Sequence, residues 1–337
     1  MSDRQLSRPP TLRERVLDVA FQGLCRVHAW FVILIAGGIV VRIGWSAMPA
    51  IQQHGIGFLM NSVWDPNQGL YGIFPELVGT LFSSLLAIAF ASTLGVSVAI
   101  FLSEKFVSQS LTELLRWGSL DKVKGLSSLP VWLEGALTKT VELLAAIPSV
   151  VYGLWGIFVV IPTIRPLCDF LHQQLGWIPL FGTSLSGPGI LPASLVLSIM
   201  ILPTISAVVQ DSLQSVPQKL RDASYAMGAT RWETMLHVVL PSARTGIIGA
   251  ILLALGRAIG ETMALAMLMG NSNKLSWSVF SPGNTLAALL ANNFPEASKA
   301  QVPVLMYAAL VLLLLTLSMN LLGVWVLQGG KIRREVV

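Results

Sequence analysis

Charge is what this chain has least of. Only 12% of its 337 residues are Asp, Glu, Lys or Arg and 54% are hydrophobic, whereas soluble globular domains carry about a quarter charged residues. A mean hydropathy of +0.71 excludes an ordinary soluble domain and makes lipid the expected solvent. Cysteine is nearly absent. Cys25 and Cys168 fall on opposite sides of the membrane in the topology derived below, so they cannot pair with each other. The histidines, His28, His54, His172 and His237, are scattered without metal-ligand spacing, which sets zinc aside. No G-x-x-x-x-G-K-[ST] string occurs, so the usual route to binding ATP is missing. Nothing in the chain calls for a cofactor. No small-residue cleavage site follows a short apolar core near the N-terminus, so a removable signal peptide is not expected.

What the chain has is apolar length. Six stretches suffice to cross a bilayer at about 20 residues each: Val27–Met48, Leu77–Leu102, Thr138–Ile161, Ile190–Gln210, Ala243–Gly270 and Pro303–Leu327. The fold class is therefore all-α, a polytopic membrane protein of six helices. Pro148 and Pro203 interrupt two of the spans, which membrane helices tolerate when neighbours satisfy the freed carbonyls. Seventeen Lys and Arg fall in the two tails and in the loops around 103–137 and 211–242, and three (Arg165, Lys274, Lys299) in the opposite loops. That asymmetry predicts cytoplasmic termini and explains the net charge of +5 without nucleic acid. The expected organisation is a cytoplasmic amphipathic segment at 1–26, running along the interface into the first span. A six-helix membrane domain follows at 27–327, with a cytoplasmic insert at 103–137 and a loop at 211–242, and a short tail at 328–337. Helical rhythm is expected through Val107–Leu115 of the insert. The loop Pro162–Gly189 reads as an interfacial belt.

The loop at 211–242 carries start and stop signals for two helices. Ser215 is placed to cap a helix with Pro217 in its first turn, and Gly228 is a natural left-handed terminator near its end. Thr230-Arg231-Trp232-Glu233 then reads as a capping box for the next helix, running to Pro241, where the fifth span begins. Small residues Ala223, Ser224 and Ala226 would let another surface approach closely. On this pattern alone, a docking element and a solvated connector are about equally served.

Arg257 and Glu261 lie inside the fifth span, in Gly256-Arg257-Ala258-Ile259-Gly260-Glu261-Thr262. Arg257 is 13 residues beyond Arg244, about 20 Å along a helix, and so near the bilayer midplane. A charge there costs at least about 2.5–3.5 kcal/mol and requires a partner or a watery path. Spacing of four places Glu261 on the same helical face, and Gly256 with Gly260 would allow close helix contact. One reading is an intrahelical salt bridge that ties the helix into its bundle. Base-before-acid order is the weaker arrangement for stability, which favours a second reading: an anion relay in which the guanidinium fork meets an oxyanion and Glu261 holds Arg257 between passages. Arg42, beside Trp45, is better explained by snorkelling to an interface.

The string Asp222-Ala223-Ser224-x3-Gly228-x9-Val238-x-Leu240-Pro241 resembles the EAA loop of bacterial ABC importer permeases, with Asp for the usual Glu and Ser for the second Ala. Trp64-Asp65-Pro66, Gly79-Thr80, Leu143 through Gly153, Met200 through Thr204, Gly256 through Ala264 and Gly270-Asn271 resemble the PstC family of phosphate-importer permeases. The resemblance implies a type I ABC importer fold in a bacterial inner membrane, passing inorganic phosphate. It implies no catalysis on this chain, ATP being hydrolysed by a dimer of PstB-like ATPase. A PstA-like second permease and a PstS-like phosphate-binding protein outside are further implied partners. Asp222, Ala223, Ser224 and Gly228 then become coupling residues, and Arg257 and Glu261 line the phosphate path. Permeases for molybdate or sulfate, and a proton-coupled carrier using Glu261, are the alternatives. An intramembrane enzyme lacks a nucleophile–base pair or metal cluster.

Overall fold

The computed structural model describes residues 11–104, Thr112 and 129–332. The helical rhythm expected at Val107–Leu115, the polar stretch at 118–128 and the tail cations Arg333 and Arg334 lie outside the described residues. The described chain is helical: α1 (Leu12–His54), α2 (Gly57–Met60), α3 (Phe74–Ser103), α4 (Leu129–Ala146), α5 (Ser149–Trp155), α6 (Ile161–Leu175), α7 (Ile190–Gln214), α8 (Gln218–Ala226), α9 (Arg231–Thr234), α10 (Leu240–Ile259), α11 (Met263–Leu268), α12 (Leu286–Asn293) and α13 (Val302–Ile332). Six segments are long and apolar enough to cross a membrane, which makes this a multi-pass membrane protein. With six crossings among the described residues, the start of α1, the end of α13 and the loop at 211–242 fall on one side of the bundle.

Thr11 opens α1 with a capping box to Glu14, and the helix then runs unbroken for 43 residues, about 65 Å at 1.5 Å per residue. From Leu12 on, the amphipathic segment and the first span are thus one helix. The third span differs from expectation. It does not begin at Thr138: α4 ends at Ala146, the chain breaks before Pro148, and the crossing is made by Ser149–Leu175. A proline cannot donate to the preceding turn and pushes the residue before it out of helical geometry. Pro162 and Pro166 do not interrupt this crossing. Pro162 falls in the first turn of α6, directly after a π turn at Gly156–Val160, so most of the expected interfacial belt is helix.

The core lies between α3 and α7. Two-thirds of the central window of α7 is buried, and α3 faces it with Gly79, Ser83, Ala87, Ala91, Gly95 and Ala99, small residues four apart on one face. Lipid supplies no hydrophobic drive between helices, so close backbone approach and dispersion hold them. The hydroxyls of Thr80 and Ser84 bond back to carbonyls one turn earlier, at Glu76 and Thr80, leaving no unsatisfied donor on the packed face. The two helices come close at Gly95, where a Cβ would stand 2.9 Å from Ile205 Cγ2, while the Gly95 carbonyl accepts from the Ser206 hydroxyl at 3.2 Å. Gly95→Leu is therefore expected to force the two helices apart and to destabilise the fold by about 1–3 kcal/mol. Heat-induced aggregation of the detergent-solubilised protein measures this, and an unchanged midpoint would contradict the packing account.

A second apolar cluster fastens α1 to α13 at the side away from the chain ends. Phe58 stacks on Tyr307 with centroids 4.6 Å apart, and Ala47 and Ala50 pack with Leu286, Val304 and Ala308. The Trp64-Asp65-Pro66 stretch makes a compact turn beside this cluster. Asp65 and Leu70 exchange backbone hydrogen bonds of 2.8 and 3.1 Å, and the Asp65 carboxylate accepts from the Asn67 N–H.

Candidate functional site

Two regions carry the polar chemistry. In the loop at 211–242, α8 ends at Ala226, and Gly228 takes the left-handed conformation at φ +87°. The Ala229 N–H donates to the Ser224 carbonyl and the Gly228 N–H to that of Tyr225, the paired bonds of a Schellman cap. Thr230 and Glu233 close the expected capping box: the Glu233 N–H donates to Thr230 Oγ1 at 3.3 Å and the Thr230 N–H to Glu233 Oε2 at 2.7 Å. The start of α8 departs from expectation. Pro217 occupies the cap with no side-chain bond, and the Ser215 hydroxyl donates to the Ser212 carbonyl instead, because it lies in the last turn of α7.

The loop residues divide into two groups. Asp222, Ala223, Ala226 and Met227 are exposed, Met227 at 88%, and Gln218 Nε2 donates to Asp222 Oδ1 at 3.1 Å. Ser224, expected on the open surface, is half-buried, its hydroxyl 2.9 Å from Thr234 Oγ1. It ties α8 to α9. The openness of Met227 at the loop tip is a feature that helix caps and spacing could not reveal.

The fifth span ends earlier than expected. One helix with a π turn at Met235–Val239 runs from Arg231 to Ile259, Gly260 caps it, and α11 starts at Met263. Arg257 therefore lies in the last helical turn and Glu261 beyond it, so the shared face implied by four-residue spacing does not form. No ion pair joins them among the described residues. The half-buried Glu261 carboxylate turns to the α11 start, accepting from the Ala264 N–H at 3.5 Å. Arg257 is exposed, and its Nη1 donates to Thr204 Oγ1 at 3.2 Å, directly after the Pro203 of α7. A base in the last turn also suits the negative end of the helix dipole.

Beside Thr204, a cavity of about 220 Å³ opens between α3, α4 and α7, lined among others by Thr138, Glu142, Ser206 and Gln210. Gly256 lacks the Cβ that would stand 3.0 Å from Asn320 Oδ1 of α13, so a polar amide of the last span sits one residue from Arg257. Thr204 and Asn320 come from other helices than Arg257, and periodicity within the fifth span carried no trace of them. Glu76 is fully buried in the first turn of α3, with no partner for either carboxyl oxygen among the described residues.

Residues 125–328 match the family model described as "Binding-protein-dependent transport system inner membrane component". The chain belongs to this family. The matched region runs through the last four spans and contains both the loop and Arg257. Among curated proteins, the chain is similar to the phosphate transport system permease protein PstC of Xylella fastidiosa, 35% identical over 312 residues, covering 91% of this chain and 89% of the relative. The PstC of Pasteurella multocida is 36% identical over 310 residues, 90% of each chain. The probable PstC of Methanocaldococcus jannaschii is 30% identical over 295 residues, 85% of this chain and 86% of that one. Among solved structures, a chain of the MetNI methionine ABC transporter in an inward-facing conformation aligns with a TM-score of 0.52 at 19% identity, over 79% of this chain and 99% of its own. This member of the binding-protein-dependent family thus has the fold of an ABC importer permease.

Proposed function

We propose that this chain is a permease subunit that passes inorganic phosphate inward across a bacterial inner membrane, with both termini cytoplasmic, powered by ATP hydrolysed on a separate ATPase chain. Relatives bearing the phosphate permease name, alike over nine-tenths of the chain, support the cargo. The observation that carries the site is Arg257. A guanidinium stands exposed about 20 Å into the span, held by one neutral hydroxyl and by no carboxylate among the described residues. Such a group retains donors for a tetrahedral oxyanion, which it can meet in bidentate fashion. In lipid it requires a lined or watery surrounding, which a PstA-like second permease facing Arg257 supplies. The cavity beside Thr204 continues this path toward the chain-end side.

In this reading a PstS-like binding protein delivers phosphate to the outer face, and a PstB-like ATPase dimer engages Asp222, Ala223 and the tip around Gly228. Glu261 shapes the outer wall of the path rather than clamping Arg257. Radiolabelled phosphate uptake by the reconstituted complex, competed with sulfate and with molybdate, tests the cargo. Excess unlabelled phosphate is expected to abolish the signal and a hundredfold excess of either other anion to leave most of it. Equal competition by sulfate or molybdate would assign a different oxyanion, and uptake that persists without the ATPase would overturn ATP-driven import.

A further inference from the structure

The docking helix α8 has no fully buried residue, so apolar packing alone fastens it only weakly to the bundle. Polar bonds add to it. The Ser224–Thr234 contact joins α8 to α9, and a second attachment runs from Arg221. Its Nη1 donates to Glu104 Oε1, and its Nη2 donates to the Leu213 carbonyl at 3.0 Å. Glu104 is the cap residue that ends α3, and Leu213 is a fully buried residue in the last turn of α7. One guanidinium therefore holds the ends of the two core helices and the docking helix together. Both charged side chains are only 12% exposed, where an ion pair is screened less than at an open surface. They line a cavity of about 440 Å³ with Gln214, Gln218, Tyr225 and Arg231, so among the described residues α8 has space beside the attachment.

We propose that Arg221 is the link through which displacement of α8 is delivered to α3 and α7, making Arg221 and Glu104 positioning residues of the transport cycle. A guanidinium suits this task because its planar fork fixes direction as well as distance, bonding a carboxylate and a carbonyl at once. Movement passed to α7 reaches Thr204, and through it Arg257. The side chain next to Arg221 faces the other way: Asp222 is exposed, so adjacent residues serve the partner and the bundle separately. This inference rests on the docking role given to the loop above.

The test uses the full complex in proteoliposomes with binding protein, counting phosphate taken up and ATP hydrolysed together. Arg221→Met and Glu104→Leu each remove the ion pair, and the double reversal Arg221→Glu with Glu104→Arg restores opposite charges. Each single variant is expected to retain its ATPase subunit on purification and to hydrolyse ATP, yet to move about 10-fold less phosphate per ATP, within the range of coupling energies between sites. The reversal is expected to recover only part of that ratio, because the ion pair returns while a carboxylate at 221 cannot donate to the Leu213 carbonyl. An unchanged ratio in both single variants, a reversal that recovers nothing, or loss of uptake that only tracks loss of bound ATPase would each overturn the link. Failure of the docking reading shows separately, as normal ATPase retention when the Gly228 turn is disrupted.

Discussion

Arg257→Ala is expected to lower phosphate uptake by a factor of about 100 or more while the complex still assembles with its ATPase. The magnitude follows from what the guanidinium offsets. A charge without compensation in the middle of a bilayer costs at least about 3 kcal/mol, and each 1.4 kcal/mol is roughly a factor of ten. Assembly is expected to survive because the side chain is exposed and bonds only Thr204 among the described residues, while its neighbours Ala258 and Ile259 carry the packing. Arg257→Lys separates charge from geometry: it keeps the positive end but loses the fork, and should retain an intermediate rate. Thr204→Val removes only the hydroxyl that orients the guanidinium, so its effect should be smaller than either. Uptake in vesicles, normalised to purified complex, gives all three values. Alanine variant uptake within twofold of wild type would end the claim that Arg257 meets the anion.

Why Arg257 was legible from sequence and its surroundings were not is a matter of range. A charge within a long apolar run is visible in one dimension, and its depth follows from helical rise. Its partners are not: Thr204 lies 53 residues away on another helix, and Asn320 on a third. The pairing with Glu261 fails for a local reason. Four-residue spacing brings two side chains together only if the helix continues, and here it ends at Ile259 with Gly260 as cap. Glycine within an apolar run is compatible with close packing and with termination alike, so the sequence carried both outcomes. Glu76 shows the same limit, since a carboxylate at the edge of a span reads as solvated until other elements cover it. The third span shifted for a similar reason, since Pro148 marked a break without saying which side of it crosses the membrane. The loop was far more legible because its determinants are local. Gly228, Thr230 and Glu233 act on backbone groups within four residues, and each does in the fold what its chemistry dictates. The inward turn of Ser224, which depends on Thr234, and the cap of α8, where Pro217 rather than Ser215 stands, escaped.

That locality makes the loop the place where one atom group has the largest reach. Gly228→Val is expected to reduce co-purified ATPase at least tenfold. Among the described residues other than its chain neighbours, no heavy atom lies within 4 Å of where a Cβ would stand, so the substitution acts through the backbone. At φ +87° an L-residue is disfavoured by about 1–2 kcal/mol, and a β-branched one most of all. The chain relieves this by leaving the left-handed conformation, which breaks the two Schellman bonds to Ser224 and Tyr225 and swings α8 relative to α9. The Ser224–Thr234 contact at 2.9 Å goes with them, and Asp222, Ala223 and Met227 no longer present one surface. Gly228→Asn supplies the control, since asparagine enters the left-handed region more readily than other side chains. It should retain most of the ATPase although its side chain reaches further from the backbone than that of valine. If instead both variants lose it equally, the volume at the tip matters and the turn does not; if both keep it, the loop is a connector. Loss with valine and retention with asparagine identifies the conformation of a single residue as what holds the ATPase contact together.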